Sequence, residues 1–256
     1  MARTPAQVTT LLRGLTARLR GVLGKNLVGF YLSGSITQGA FDPRRSDIDC
    51  VAVTRRDLSD TQLRRLRDWL DASARVNPWT SRLQLQFLQK HQILTMNARA
   101  CLYQFGVLQR TGSDGNPIIW MNILTTGRIL HGPRPRSFVP EITREMLFEA
   151  LRRELGYLRE EITDKPASEW RNVPKYQAFA VMTVCRILYS STKGTVVSKP
   201  VAARWAIRNL PKRWHPVIRQ AGSFDRGERT SGISLTRIRE FLEYAAGRLG
   251  DGPGLG

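Results

Sequence analysis

The stretch Phe-Tyr-Leu-Ser-Gly-Ser at residues 30–35, followed after a loop by Asp47-Ile48-Asp49, decides the fold of the N-terminal half of this 256-residue chain. Apolar residues that run into Gly34 predict a buried strand, and glycine lets the backbone turn and approach a ligand closely. A helical turn after Ser35 would direct free N–H groups towards an anion. We therefore expect a strand, an anion-binding turn and a second strand that opens with Asp47.

The two aspartates of this stretch have the spacing of a cation site. Residues two apart on a strand point to the same face, so Asp47 and Asp49 share a face while Ile48 points into the core. Magnesium prefers one or two carboxylates together with phosphate oxygens. An Asp-x-Asp pair alone is usually a solvated strand end, and a Gly-Ser pair alone is a turn. Their combination after a buried strand indicates Mg²⁺ held against a nucleotide triphosphate.

The rest of the N-terminal half has a mixed pattern of helices and strands. Leucines at helical spacing predict a helix near the N-terminus and another after the capping residue Ser59. Residues 83–88 alternate as a third strand, and residues 116–130 have a helical pattern that ends near Gly127. The proline-rich segment 132–136 is the best candidate for a linker.

Helical periodicity dominates the C-terminal half. Predicted helices follow Thr143, cover residues 175–189, open at Ser198 and span residues 236–249. The fold class that follows is α+β, with a mixed sheet and helices in residues 1–133 and an all-α bundle in residues 134–249. We expect the glycine-rich tail, residues 250–256, to be disordered.

The chain is strongly basic, with 40 Lys and Arg against 21 Asp and Glu and a formal net charge of +19. Such an excess suits polyanionic partners, among them nucleotides and nucleic acid. An arginine bias spread over every segment explains it equally well. Because no aromatic-interleaved basic stripe is present, a nucleic-acid-binding module is the least supported class.

The composition also indicates the cellular compartment in which the protein works. Three separated cysteines, Cys50, Cys101 and Cys185, exclude a disulfide scaffold and any CxxC metal site, and they fit a reducing cytoplasm. No apolar run reaches the roughly 18 residues of a membrane helix, and the N-terminus lacks the pattern of a secretory signal. We expect a cytoplasmic monomer without membrane contact.

Two blocks of the sequence resemble a known family. Gly34-Ser35 with Ser46-Asp47-Ile48-Asp49 is similar to the signature of polymerase-β-type nucleotidyltransferases. The C-terminal half resembles the helical domain of the streptomycin/spectinomycin adenylyltransferases, in Cys-Arg-Ile-Leu-Tyr at 185–189, Val-Ser-Lys-Pro at 197–200 and Ala-Ala-Arg-Trp-Ala at 202–206. The resemblance implies an N-terminal nucleotidyltransferase domain, a C-terminal bundle and an active site between them. It also implies transfer of AMP from ATP·Mg²⁺ to an aminoglycoside hydroxyl, the reaction of an antibiotic-resistance enzyme.

The resemblance assigns roles to residues of both halves. It implies a nucleotide-binding set formed by Gly34, Ser35, Ser46, Arg186 and Lys199. Asp47 and Asp49 would bind Mg²⁺ and serve catalysis. From the bundle, Lys199 would reach a phosphate and Arg186 would lie nearby. Phosphoryl chemistry needs charge neutralisation and positioning more than a strong nucleophile, which suits such cations.

The sequence departs from the family at the general base. The family places a glutamate on the third strand, and here Gln84 takes that position. No Asp or Glu occurs from Ala72 to Ser113, so no neighbour on this strand replaces it. Glutamine accepts no proton at neutral pH, and losing a general base costs ~10²–10⁴-fold. A catalytically impaired nucleotide-binding homologue is therefore the alternative to an active enzyme.

The acceptor side departs as well. Leu108 stands where the streptomycin enzymes carry Trp, and Tyr176 and Phe179 stand in a region where those enzymes carry acidic drug contacts. A polycationic aminoglycoside calls for an acidic pocket, which a chain of this charge is poorly suited to supply. The sequence thus leaves three alternatives for the molecule that carries the acceptor hydroxyl: an aminoglycoside, a protein or an RNA.

Overall fold

The computed structural model describes residues 4–96, 99–112, 115–228 and 232–250. The chain forms two compact units, residues 1–142 and residues 143–256. The predicted α+β fold class is confirmed, because the N-terminal unit contains a mixed sheet with helices and the C-terminal unit contains helices. Across these ranges, no helix is long and apolar enough to cross a membrane.

A six-stranded sheet organises the N-terminal unit. Its strands are β1 (Leu27–Ser33), β2 (Ile48–Thr54), β3 (Leu83–Gln89), β4 (Arg99–Gln104), β5 (Val107–Gly112) and β6 (Arg128–His131). Their order across the sheet is β5-β4-β3-β2-β1-β6. β2 and β3 run parallel, and the other neighbouring pairs run antiparallel. The three strands predicted from the sequence therefore lie side by side in the middle of the sheet.

Helices cover both faces of this sheet. α1 (Ala6–Leu23) and α2 (Asp60–Val76) pack against the face that carries Phe30, with which they form one hydrophobic core. α3 (Pro117–Thr126) covers the opposite face, where the fully buried Trp120 belongs to a second, smaller core. β1 and β2 are thus buried on both faces over most of their length, which accounts for their nearly continuous apolar sequence, whereas β3 alternates.

β4, β5 and β6 add to the strands that the sequence pattern predicts. The predicted end of the helix near Gly127 is confirmed, because α3 stops at Thr126 with Gly127 as its C-cap, but the helical pattern assigned up to residue 130 is wrong, since β6 begins at Arg128. β6 lies at the edge of the sheet, where Ile129 pairs with Tyr31. The Ile129 side chain remains 45% exposed, so β6 lacks the burial pattern of a core strand.

The division between the units falls after Ile142, whereas the predicted domain boundary follows Pro133. The difference has a packing cause. The Tyr31 hydroxyl donates a hydrogen bond of 2.9 Å to the Pro133 carbonyl, and burial raises the pKa of Tyr31 to about 12, which keeps it a neutral donor. Phe138 then packs on Tyr31 and Trp120, with ring centroids 6.0 and 6.2 Å away. Residues 134–142 therefore cover the sheet rather than link the units.

The C-terminal unit is helical. Its helices are α4 (Arg144–Arg159), α5 (Pro174–Lys193), α6 (Lys199–Asn209), α7 (His215–Asp225) and α8 (Leu235–Gly250). Thr143 caps α4 as predicted, since its Oγ1 accepts a bond of 3.2 Å from Met146 N. α7 is additional to the four predicted helices. Of the tail predicted to be disordered, Gly250 ends α8, and residues 251–256 lie outside the described residues.

Candidate active site

β1 ends in a tight turn that only glycine fits. Gly34 opens a single 3₁₀ turn, Gly34–Ile36, with φ at +71°. A Cβ atom at this position would lie 1.8 Å from Asp49 Oδ2. The close approach of backbone and carboxylate therefore explains the glycine, in addition to its positive φ. The sequence predicts a helical turn after Ser35, and the structure begins that turn earlier, at Gly34, so that Ser35 lies in its middle.

The structure brings both aspartates and Gln84 to this turn. Asp49, on β2, pairs with Ser33 of β1 on one side and with Gln84 of β3 on the other. Gln84 Nε2 donates a hydrogen bond of 3.2 Å to Asp47 Oδ2. Asp49 is half-buried and Asp47 is exposed. Gly34, Asp47, Asp49 and Gln84 thus form one constellation, which we call the carboxylate site.

Strand alternation explains why Gln84 faces the carboxylates. Leu83, Leu85 and Phe87 on β3 are buried in the core beneath α1 and α2. Side chains alternate along a strand, so Gln84 points to the other face of the sheet. An amide that donates to Asp47 has no proton-accepting capacity at neutral pH. The position at which the resemblance predicts a general base is therefore occupied by a side chain that donates a hydrogen bond.

The loop before Asp47 is held by its own ion pairs. The Asp42 carboxylate accepts a backbone bond of 2.9 Å from Arg44 N and side-chain bonds from Arg44 and Arg45. These bonds, the backbone one foremost, hold the pKa of Asp42 well below its usual range. Ser46 Oγ accepts a bond of 2.9 Å from Asp42 N. Ser46, a predicted nucleotide contact, is thus also part of the loop's internal structure.

The donor set at this site fits Mg²⁺. In the described part of the chain, no group of three His, Cys, Asp or Glu side chains is placed to hold a metal. Two carboxylates, Asp47 and Asp49, are what the carboxylate site offers. Mg²⁺ typically takes one or two protein carboxylates and completes its shell with water and substrate phosphates. The residues therefore suit a cation that is shared with a nucleotide rather than one enclosed by protein.

Replacing Gly34 by alanine tests this close approach. We expect Gly34→Ala to lower the free energy of unfolding by about 1–2 kcal/mol, because a Cβ at positive φ is strained. It should also displace the Asp49 carboxylate and weaken Mn²⁺ binding, followed by electron paramagnetic resonance. Gly106→Ala is the matched control, since Gly106 has φ at +79° but no atom within 4 Å of its Cβ position. Equal Mn²⁺ affinity of the two variants would contradict the prediction.

The C-terminal unit holds the two predicted phosphate-binding cations. Lys199 begins α6, and Arg186 lies half-buried on α5. Lys199 Nζ lies 4.5 Å from the ring centroid of Phe179 and 3.9 Å from Asp225 Oδ1. The sequence gives no sign of either partner, because Asp225 lies on the unpredicted helix α7. A lysine with one aromatic and one acidic neighbour is held in place rather than mobile on the surface.

An aromatic cluster surrounds Phe179. Trp170 stacks on Tyr176, with centroids 5.3 Å apart, and meets Phe179 and Tyr157 edge to face. Trp170, Tyr176 and Phe179 are each half-buried, and Tyr157 is exposed. Tyr176 and Phe179 were expected to replace acidic contacts, and the structure shows them as parts of one aromatic surface beside Lys199.

Comparisons with known proteins agree with this architecture. Residues 137–248 match the family described as "Aminoglycoside adenylyltransferase, C-terminal domain". The chain is 27% identical to an aminoglycoside (3'') (9) adenylyltransferase of Escherichia coli, with 95% of each chain covered. It is 25% identical to a spectinomycin 9-adenylyltransferase of Campylobacter jejuni, with 78% of each covered. The crystal structure of a spectinomycin adenyltransferase from Enterococcus faecialis with ATP and spectinomycin shares its fold, with TM-score 0.73, 18% identity, and 97% of this chain and 100% of that chain covered.

The mixed sheet followed by a helical C-terminal unit is thus the fold of that adenyltransferase. In sequence, the chain is similar to the aminoglycoside adenylyltransferases, through the C-terminal domain model over residues 137–248 and through relatives aligned over 95% of the chain. The resemblance carried by the two sequence blocks is thereby confirmed.

Proposed function

We propose that the chain transfers AMP from ATP to a hydroxyl group of an aminoglycoside-type acceptor, in a reaction that requires Mg²⁺. The observation that carries this proposal is the carboxylate site, where Asp49 lies against the Gly34 turn and its strand neighbour Gln84 bonds to Asp47. The relatives named above act on aminoglycosides or spectinomycin, which supports the acceptor class.

The chain's own residues supply binding and charge neutralisation. The Gly34–Ile36 turn presents backbone N–H groups to the triphosphate, and its missing Cβ lets the Asp49 carboxylate lie directly against the turn. Lys199 and Arg186 neutralise phosphate charge. Magnesium bound at Asp47 and Asp49 would offset the negative charge that develops on the phosphate oxygens. The acceptor oxygen bonds to the α-phosphorus, the bond to the pyrophosphate oxygen breaks so that pyrophosphate leaves, and the proton of the acceptor hydroxyl passes to solvent water.

Gln84 favours a second candidate, a nucleotide-binding homologue with impaired catalysis. Its amide donates to Asp47 and cannot take the acceptor proton. Such a protein would still bind ATP through the same turn and carboxylates, and would differ from an enzyme only in turnover. The net charge of +19 keeps a protein or RNA acceptor in the set to be tested.

The deciding experiment offers several acceptors to the wild-type chain. We would incubate it with ATP labelled at the α-phosphate, Mg²⁺ and, separately, spectinomycin, streptomycin, a protein mixture and RNA. We expect the label to appear on an aminoglycoside, and we expect no labelling when EDTA is added to chelate Mg²⁺. Mass spectrometry would identify the AMP adduct. ATP binding by calorimetry without label on any acceptor would favour the impaired homologue instead.

Lys199 gives a separate test of nucleotide binding. We expect Lys199→Ala to weaken ATP·Mg²⁺ binding about 10- to 100-fold, since a hydrogen bond to a charged group contributes ~1.5–3 kcal/mol. Lys193→Ala, an exposed lysine at the end of α5, is the matched control and should bind normally. The measurement is calorimetry. Unchanged affinity in Lys199→Ala would remove this residue from the nucleotide site.

A further inference from the structure

The residue before β3 reaches back to the loop that delivers Asp47. Arg82 donates from Nη1 to the Pro43 carbonyl at 2.6 Å and from Nη2 to the Ser46 carbonyl. The Ser46 carbonyl belongs to the peptide that joins Ser46 to Asp47. One guanidinium therefore bonds two carbonyls of the loop, the second of them immediately before the first carboxylate of the site.

The guanidinium is itself fixed by aromatic packing. Its carbon lies 4.4 Å from the ring centroid of Trp79, and Arg82 is half-buried. Trp79 packs on Phe41, with centroids 5.7 Å apart, and both aromatic side chains are buried. Phe41 begins the same loop. The stack thus anchors the start of the loop while the hydrogen bonds of Arg82 hold its end.

Two side chains at the start of β3 consequently contact Asp47 or the peptide before it. Arg82, at the entrance to the strand, holds the peptide before Asp47, and Gln84, two residues later, donates to the Asp47 carboxylate. Asp47 is exposed and precedes β2, so the sheet ladder alone does not orient it. The ladder does orient Asp49, which has strand neighbours on both sides.

We propose that Arg82 is a positioning residue for Asp47 in the metal–nucleotide site. The proposal rests on the proposed function, since it assumes a cation at the two aspartates. A planar guanidinium bonds two carbonyls and stacks on an indole at the same time, which a lysine ammonium does not do equally well. Arg82 touches neither of the carboxylates through any of these bonds, so it acts through the backbone.

The test compares Arg82→Ala and Arg82→Lys with Arg67→Ala. Arg67 also donates to a backbone carbonyl, that of Leu108 at 3.1 Å, in another part of the same unit. Mn²⁺ affinity is measured by electron paramagnetic resonance without nucleotide. Hydrogen exchange is followed at the amides of Arg45 and Ser46, which bond to the Asp42 carbonyl. Thermal unfolding monitors the fold.

Positioning and plain electrostatics predict opposite signs. Removing a positive charge near a cation site strengthens cation binding if charge alone matters. If Arg82 positions Asp47, both Arg82 variants weaken Mn²⁺ binding, about 10- to 100-fold for Arg82→Ala, as loss of an orienting partner typically does. Exchange at the two loop amides then rises, while Arg67→Ala leaves both readouts unchanged. Because Arg82→Lys keeps the charge, it decides the matter if Arg82→Ala does not fold.

Unchanged or tighter Mn²⁺ binding in both variants would overturn the proposal, and so would wild-type affinity in Arg82→Lys. Failure of the proposed function has a different signature. If the wild type labels no acceptor but its Mn²⁺ binding still depends on Arg82, the transfer reaction is wrong and the positioning role stands. If the wild type binds no Mn²⁺, the metal site is wrong and the role of Arg82 falls with it.

Discussion

Gln84→Glu is expected to raise the rate of adenylyl transfer, by up to the ~10²–10⁴-fold that a general base supplies. The side chain already lies on the same face as Asp49 and within hydrogen-bonding distance of Asp47. In the proposed reaction, the introduced carboxylate would stand beside Asp47 at the position where the resemblance implies a general base. Transfer is measured at saturating ATP, with the acceptor that the wild-type experiment identifies.

The same substitution should make the enzyme more dependent on Mg²⁺. It replaces a hydrogen bond of 3.2 Å to Asp47 by the approach of two carboxylates. Like charges at this separation raise the pKa of one partner, and a bound cation relieves the repulsion. A base works in its deprotonated form, so kcat/KM of the variant should rise with pH through that raised pKa and then level off. The wild type should lack this ascending limb.

Gln86→Glu is the matched control for added charge. Gln86 lies two residues further along β3 and pairs with Val51 instead of Asp49. A carboxylate there adds the same charge to the same face of β3, two residues away from the position that pairs with Asp49. If both variants gain equally, the effect is electrostatic rather than proton transfer. If Gln84→Glu gains nothing while ATP still binds, the nucleotide-binding homologue is the better description.

The centre of the fold and of the candidate site follows from local sequence. β1, the Gly34 turn and β2 are predicted because buried strands carry continuous apolar runs and because the turn needs glycine. Alternation along β3 places Gln84 on the face of Asp49. Helix starts at Ser59 and Thr143 are confirmed, since capping depends on residues within one turn.

Features that depend on distant partners are not predicted. β6 is an edge strand whose outward residues are exposed, so its sequence has no strand periodicity. The boundary between the units lies after Ile142 rather than after Pro133, because Phe138 packs on Tyr31 and Trp120 of the N-terminal unit. Arg82 is one arginine among many in a basic chain. Its hydrogen bonds to the Pro43 and Ser46 carbonyls distinguish it from the other arginines, and these bonds are visible only in the folded structure.

Asp49→Asn is expected to abolish cation binding at the carboxylate site. The amide keeps the shape of the side chain between β1 and β3 but removes one of the two negative charges that attract a divalent cation. Transfer should fall by about 10³-fold, because a bound cation contributes several kcal/mol to stabilising charge in the transition state. ATP·Mg²⁺ affinity, measured by calorimetry, should fall with it.

Thermal unfolding separates this loss from damage to the fold. Without metal, Asp49→Asn should unfold in one cooperative transition like the wild type, because asparagine keeps the size and shape of the side chain. Added Mn²⁺ should raise the Tm of the wild type by mass action and leave that of the variant unchanged. Asp68→Asn, an exposed acid on α2, loses the same charge elsewhere and should keep the Mn²⁺-dependent shift. An equal Tm shift in Asp49→Asn and the wild type would show that the cation does not bind at Asp49. A side chain that does not coordinate the cation affects cation binding only weakly, because solvent and salt screen its charge.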